Sequence, residues 1–241
     1  MENHKKLSIV IPVYNEAKDI TVLLGQLAKV EFPSFIEDVE FILVDDCSKD
    51  NTVEVITAFI AGKEQFKLYK HEINKGKGAA VKTGISLAKG DLFLMQDADL
   101  ELSPSDIPSM LNAINELKVE FINGSRYLPG VVRPLASYKR YMGNKFFTNL
   151  TSILINVRFT DMACGYKLIH RNLYNKIELY ENRFGFEAEL IIKALRIKKN
   201  NVAEVPVKYF PRNVGDGKKL NNMDAFKILW TIFKYGVLRL K

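Results

Sequence analysis

The sequence predicts an α/β protein with a mostly parallel, doubly wound sheet and a carboxyl-terminal amphipathic helix added to it. Three observations carry that reading. Apolar runs of strand length alternate with helical patterns long enough to cross over a sheet. The runs end in acidic or turn-forming residues, as the carboxyl edges of interior strands do. From Asp224 to Leu240 the pattern changes to one helix with a narrow polar stripe.

The elements follow in order. Leu7 to Val13 (LSIVIPV) is a strand whose pairing is expected to stop at about Pro12, because proline brings no donor to a ladder. A helical pattern runs from Glu16 to Val30 on Ile20, Leu23, Leu24 and Leu27. Phe41 to Val44 is a second strand, and the cap-rich turn from Asp45 to Thr52 opens a helix over Val53 to Ile60. Lys67 to His71 is a short third strand. The segment from Asn74 to Ala80 leads into a helix that stops at Lys89-Gly90. The run Leu92 to Met95 is an interior strand, followed by a helix over Ser105 to Leu117 and a strand over Glu120 to Gly124.

The second half is less regular. Lys139 to Val157 reads as a long helix, Asp161 to Lys167 as a turn before a short strand, and Phe184 to about Ile197 as another helix. Val202 to Phe210 alternates as a strand. In the last helix Lys227, Thr231 and Lys234 form the polar stripe, and Phe226, Ile228, Leu229, Trp230, Ile232, Phe233, Val237 and Leu238 cover most of the rest. Such a helix suits a membrane interface, the protein core or a partner chain. The expected division is a catalytic unit over residues 1–220 and the helical appendage over 221–241.

Composition narrows the function. The chain of 241 residues is 47% apolar and 26% charged, so it can bury a core and is not of disordered type. It lacks a run of about 18 apolar residues and a basic, apolar leader, so neither a membrane span nor an export signal is expected. Cys47 and Cys164 are far apart and fit no metal spacing, which favours a reduced, cytoplasmic setting. The net charge of +7 favours an anionic partner such as a phosphorylated substrate or a lipid surface. No nucleic-acid-binding motif is present, and the arginines are dispersed.

The chemistry gathers after the Leu92 strand, where Asp97, Asp99 and Glu101 fall at alternate positions. Crowded carboxylates repel one another, so they suit a hard divalent cation, Mg²⁺ or Mn²⁺. Mg²⁺ commonly uses one or two carboxylates and completes its shell with substrate phosphates. In a doubly wound sheet Tyr14, Asp45, Asp46, Lys77, Asp97 and Asp99 all fall beyond strand carboxyl ends, where ligands bind.

These segments together resemble the family 2 inverting glycosyltransferases of the GT-A fold, and more closely their polyprenyl-phosphate branch, the dolichyl-phosphate mannose and glucose synthases. The resemblance rests on IPVYNE at Ile11 to Glu16, VDDCS at Val44 to Ser48, Asn74 to Ala79, Asp97-Ala98-Asp99-Leu100, GSRY at Gly124 to Tyr127, Asp161 to Lys167, and Arg212 with Lys218. It implies that Pro12, Tyr14, Glu16 and Val44 line a nucleotide pocket, and that Asp45 or Asp46 pairs with the base. Lys77 would lie near the nucleotide, Asp97 and Ala98 by the donor, and Asp97, Asp99 and Glu101 at the metal. Position 101 is usually Gln in the mannose branch, so Glu101 adds a charge. Arg126, Arg212 and Lys218 match cationic positions around the donor diphosphate and the acceptor phosphate; Arg133 and Lys219 are further cations for that phosphate. The tail from Pro211 to Lys219 is closer to the glucose synthases, which tilts the donor toward a UDP-sugar over GDP-mannose.

The implied acceptor is a dolichyl or undecaprenyl phosphate at a membrane surface, with a membrane subunit or a second copy as a further partner. A phosphate with a second pKa near ~6 is largely ionised at neutral pH and needs cations and positioning rather than a strong base. A saccharide or protein acceptor would need a carboxylate base, for which Asp161 or Glu187 is the candidate. A silent nucleotide-sugar or lipid binder would have no use for the metal seat. His71 and His170 are expected in core or surface roles.

Overall fold

The computed structural model describes residues 4–130, 134, 137–198, 201–212 and 222–239, with side chains from residue 224 in the last of these segments. Seven strands are described, β1 (Lys5–Val13), β2 (Ile36–Asp45), β3 (Phe66–Lys70), β4 (Leu92–Met95), β5 (Phe121–Ser125), β6 (Lys167–His170) and β7 (Val202–Pro206), joined in one sheet of order β3-β2-β1-β4-β6-β5-β7. Pairing is parallel from β3 through β4 and between β5 and β7, while β6 runs antiparallel to both β4 and β5. The rim beyond the ends of β1, β2, β4 and β5 is therefore shared, as expected of a mostly parallel sheet.

Helices α1 (Ile20–Leu27), α2 (Thr52–Ile60) and α4 (Ile107–Glu116) cover one face, and α3 (Lys77–Leu87), α5 (Tyr138–Ile155), α7 (Gly185–Ile197) and α8 (Asn222–Gly236) the other; a short α6 (Arg171–Tyr174) follows β6. The period of two in the strands sorts the core. Leu7, Ile9, Ile11 and Val13 join the cluster with Leu23, Leu24, Met110 and Leu111, whereas Val10, Ile42, Val44, Phe93 and Met95 join the cluster with Ala80, Ile191 and Ile232. Both faces are buried, which is why these strands read as nearly continuous apolar runs.

Two sequence expectations are corrected. Pairing of β1 with β2 does not stop at Pro12 but continues to Val13, opposite Asp45. The Val10 carbonyl accepts from Gln96 on the β4 side, so even-numbered residues of β1 point there; β4 ends at Met95, and the missing donor of Pro12 meets no strand. The last strand is shorter than expected, ending at Pro206 rather than Phe210. Beyond Val207, whose amide still donates to the Ser125 carbonyl at 3.0 Å, the chain crosses to the acidic lip, where Tyr209 bridges Leu102 and the Phe210 amide donates to the Glu101 carbonyl at 2.9 Å.

Helix α8 departs from its expected polar stripe. Thr231 is buried, its hydroxyl donating to the Lys227 carbonyl at 2.8 Å, and Ile228, Ile232 and Tyr235 beside it are part of the core. The opposite stripe, Phe226, Trp230, Phe233 and Val237, is exposed. On α5, Tyr138, Met142, Phe146 and Ile153 fall on one stripe at four- and seven-residue spacing and are exposed as well. Among the described residues no helix is long and apolar enough to cross a membrane.

Candidate active site

The first wall of the rim is two laced loops. After β1 the Asn15 amide donates to the Ser48 hydroxyl at 2.9 Å, Asn15 Oδ1 accepts the Lys49 amide at 2.7 Å, and the Glu16 amide donates to Thr52 at 2.9 Å. Asn15 and Cys47 adopt positive φ, 55° and 65°, where each chain reverses at its strand end. Asp45 and Asp46, adjacent in sequence, have different duties. Asp46 is buried, with its Oδ1 bonded to His71 Nδ1 at 2.8 Å and the Lys75 amide at 2.9 Å, and its Oδ2 to the Gly76 amide at 2.7 Å. His71 Nε2 lies 2.9 Å from the Thr83 hydroxyl. Asp45 is also buried; its Oδ2 accepts the Ser48 amide at 3.1 Å, and its Oδ1 has no hydrogen-bond partner among the described residues. Asp46 thus builds the loop to α3, whereas Asp45 retains a buried oxygen without a hydrogen-bond partner among the described residues.

That loop delivers Lys77. Gly76 has φ 102°, and a Cβ there would lie 2.5 Å from the Asn182 carbonyl oxygen, so the turn into α3 needs glycine. Lys77 Nζ sits 2.6 Å from Asp97 Oδ1 and 2.6 Å from Glu187 Oε1. Burial disfavours its charge, but Asp97 and Glu187 outweigh it and raise the ammonium pKa well above the usual lysine range. Burial likewise opposes ionisation of Glu187, and Lys77 reverses that, holding its carboxyl below the ordinary value.

Asp97 is also fixed from behind. Gln96 is buried, donates to the Asp97 carbonyl at 3.0 Å and accepts the Tyr166 hydroxyl at 2.6 Å. A Cβ at Gly165 would lie 2.2 Å from Asp97 Oδ2, so the 161–165 turn touches the carboxylate and a side chain at 165 would push it aside. Lys167, fully buried, donates to the carbonyls of Met162 (3.3 Å) and Cys164 and braces that turn. Burial, then Asp161, pushes the Cys164 thiol up to about 12, so it packs as a neutral group.

Arg212 closes the other side. One guanidinium nitrogen lies 2.7 Å from Glu16 Oε2 and 3.3 Å from Asp99 Oδ2, while its backbone amide donates to Glu101 Oε1 at 3.1 Å. Burial raises the Glu16 carboxyl pKa, with Arg212 opposing. Arg126, at the end of β5, grips Asp161 through Nε at 2.7 Å, NH2 at 2.9 Å and its amide at 3.0 Å, and Asn144 donates to the same carboxylate at 2.8 Å. Asp161 is fully buried. Burial alone would lower the pKa of Arg126, but Asp161 drives it further up.

Residues 8–178 match Glycosyl transferase family 2, a span that holds every loop of this rim except those carrying Glu187 and Arg212. The chain belongs to glycosyl transferase family 2. It is 31% identical over 229 residues to the dolichyl-phosphate beta-glucosyltransferase ALG5C of Trichomonas vaginalis, covering 90% of this chain and 67% of that one. It is 30% identical to the dolichyl-phosphate beta-glucosyltransferase of Saccharomyces cerevisiae, over 92% of this chain and 71% of the other. Glycosyltransferase AglD of Haloferax volcanii is 25% identical, but the chain spans only 34% of that protein. Among solved structures, the glucosyl-3-phosphoglycerate synthase of Mycobacterium tuberculosis superposes with a TM-score of 0.73 at 17% identity, covering 97% of this chain and 81% of that one. The same enzyme in complex with Mn²⁺, UDP-glucose and phosphoglyceric acid gives 0.70 at 15% identity, over 95% and 79%. The fold is the GT-A fold, and the protein is a glycosyltransferase.

The structure brings together Tyr14, Glu16, Asp45, Lys77, Asp97, Asp99, Glu101 and Arg212 around the rim of this glycosyltransferase. Val44 and Ala98 are buried in the core and hold the strand ends from below, and Pro12 is half-buried beneath the Tyr14 loop. Arg133, Lys218 and Lys219 lie outside the described residues. Gln96, His71, Asn144 and Tyr166 were not singled out as site residues; a polar Gln96 ending an apolar strand was the available signal. Among the described residues no three His, Cys, Asp or Glu side chains converge as a metal cage. The carboxylates of Asp97 and Asp99 nonetheless fit Mg²⁺ or Mn²⁺, being hard oxygen donors at alternate positions of the lip beyond β4.

Gly165→Ala is expected to displace the Asp97 carboxylate and lower kcat/KM about 10- to 100-fold, with a circular-dichroism melt that stays cooperative. Steady-state kinetics checks this, and full activity would contradict the packing of Gly165 on Asp97.

Proposed function

We propose that this glycosyltransferase moves a hexose, with inversion, from a UDP-sugar of the UDP-glucose type to a polyprenyl phosphate. The observation that carries the acceptor is the state of the two carboxylates available as a base. Both oxygens of Asp161 are held by Arg126, with Asn144 adding to one, and Glu187 is paired with Lys77. A sugar or protein hydroxyl needs a base to take its proton, whereas a phosphate monoester arrives ionised. The names of the Trichomonas and Saccharomyces relatives support the same acceptor. A saccharide acceptor is the reading that this pairing disfavours.

The donor follows from Asp45. One of its oxygens is bonded to Ser48 and the other, Oδ1, is buried and has no hydrogen-bond partner among the described residues. One unpaired acceptor, reached by a small shift of the loop, would suit the single ring N–H of uracil better than the adjacent donors of guanine, which call for two acceptors. Glu16 and Tyr14 would border the nucleotide, and Lys77 and Arg212 would meet the diphosphate, which favours charge-assisted contacts. Asp97 and Asp99 would hold Mg²⁺ or Mn²⁺, whose charge stabilises the departing diphosphate. Glu101 holds the Arg212 amide, a positioning duty in place of the ligand duty expected of it.

An oxygen of the acceptor phosphate attacks the anomeric carbon from the face opposite the leaving group. A new carbon–oxygen bond forms as the bond to the diphosphate breaks, and the electron pair leaves with the nucleoside diphosphate. The rim lowers this barrier by placing both phosphates and by offering fixed positive charge where negative charge develops.

The acceptor class also calls for a lipid surface. The exposed stripes of α5 and α8 carry Trp230, Phe226, Phe233 and Phe146, with Lys139, Arg140, Lys227 and Arg239 exposed around them. Aromatic and apolar groups flanked by cations suit peripheral attachment to an anionic leaflet. On this reading the enzyme works at a membrane surface, from the cytoplasmic side; a membrane subunit or a second copy would cover the same stripes.

The purified protein with Mn²⁺ is expected to move labelled glucose from UDP-glucose into the organic phase when undecaprenyl or dolichyl phosphate is present. EDTA or Asp99→Ala should lower this by at least about 100-fold; a water-soluble glycan product would overturn the acceptor. Trp230→Ser combined with Phe226→Ser should weaken co-sedimentation with anionic liposomes at least about fivefold, and unchanged pelleting would remove α8 from the lipid contact.

A further inference from the structure

Each carboxylate of the Asp97-Ala98-Asp99 motif is already matched by a cation of the chain itself: Asp97 by Lys77 at 2.6 Å and Asp99 by Arg212 at 3.3 Å. The two cations come from opposite sides, Lys77 from the start of α3 and Arg212 from the segment after β7. Arg212 is held there by more than its side chain. Its amide is bonded to Glu101, the Phe210 amide donates to the Glu101 carbonyl, and Tyr209 bridges Leu102, so residues 209–212 are strapped along residues 101–102 of the lip. Glu16 shares the guanidinium at 2.7 Å and draws it partly away from Asp99.

We infer that Arg212 is a built-in competitor for the metal seat, so that a divalent ion binds productively only together with a nucleotide diphosphate. The inference rests on the metal-dependent reading given above. A divalent ion arriving alone must approach Asp99 against the fixed charge of Arg212, and Asp97 against that of Lys77, at separations where screening is weak. A diphosphate changes the balance. Its oxygens complete the ion's shell and offer Arg212 and Lys77 new anionic partners, so no cation is left unmatched as the carboxylates pass to the metal. With its amide held at Glu101 and Tyr209 bridged to Leu102, Arg212 is positioned to make this exchange by turning its side chain. Glu16 bears on the balance point, because it is a partner toward which Arg212 can withdraw.

The consequence is an order of events in which free metal does not load the empty enzyme. Ion and nucleotide enter as one unit, and the acidic lip is kept neutralised between turnovers.

The test reads binding of Mn²⁺ by electron paramagnetic resonance of the free ion, with and without UDP, and needs no turnover. The wild-type protein is expected to bind Mn²⁺ at least about tenfold more tightly when UDP is present. Arg212→Gln should tighten Mn²⁺ binding without UDP about tenfold, the size expected when one nearby like charge is removed. Glu16→Gln, which removes one acidic partner of the guanidinium and leaves Asp99 beside it, should weaken it. Arg212→Gln with unchanged or weaker Mn²⁺ affinity overturns the inference. If that variant fails to fold, Glu16→Gln with unchanged or tighter affinity does so instead. Wild-type protein that binds no Mn²⁺ even with UDP sinks the metal-dependent reading itself, whereas normal Mn²⁺ binding with UDP and an indifferent Arg212→Gln sinks only the competition.

Discussion

Two carboxylates placed at alternate positions at the end of an interior strand repel each other, and much of the rim can be understood as a response to that repulsion. Asp97 and Asp99 stand where β4 runs out, on a backbone set by pairing with β1 on one side and β6 on the other. Lys77 and Arg212 converge on them from the two flanks. Each of those cations is held in turn, Lys77 by Glu187 on the first turn of α7 and Arg212 by Glu16 after β1. The result is a row of charges across the sheet edge, Glu187, Lys77, Asp97, Asp99, Arg212 and Glu16, in which the two like-charged aspartates are each flanked by a cation. Such a network keeps its geometry because every member would leave a half-buried charge uncompensated if it moved.

The supporting layer is neutral or fully paired. Gln96, Tyr166 and Gly165 hold Asp97 from beneath, and Lys167 fixes the turn that carries Gly165. Asp46 and His71 shape the loop that starts α3, and Asp161 with Asn144 anchors Arg126. This division between groups that face a ligand and groups that place them is clearest at Asp45 and Asp46. They are neighbours in sequence, yet one keeps a buried oxygen without a hydrogen-bond partner among the described residues and the other has both oxygens engaged.

Much of the scaffold could be read from periodicity, because strands buried on both faces leave an unbroken apolar signal and each ends at the rim in polar residues. Leu92 to Met95 and the acids after it are the plainest case. The duties of Asp45 against Asp46 could not be read, since they depend on His71, Lys75 and Gly76, which reach Asp46 from the far end of β3. Asp161 offered itself as a base in sequence because burial and pairing with Arg126 are properties of the fold alone. Alternation carried the last strand on to Phe210, but Pro206 and the bridge from Tyr209 to Leu102 turn that segment into the strap that brings Arg212 to Asp99. In α8 the lysines suggested one polar stripe, and the close approach of Thr231 to Gly185 at the start of α7 put part of that stripe inside.

The central claim is that the acids at the end of β4 and a divalent ion together receive the diphosphate of the donor. Diffraction from crystals soaked with Mn²⁺ and UDP-glucose, collected at a wavelength where manganese scatters anomalously, tests it most directly. The account predicts one anomalous peak bonded to the carboxylates of Asp97 or Asp99 and to diphosphate oxygens, with the uracil against Asp45. A diphosphate bound away from both acids, with no peak between them, would contradict it.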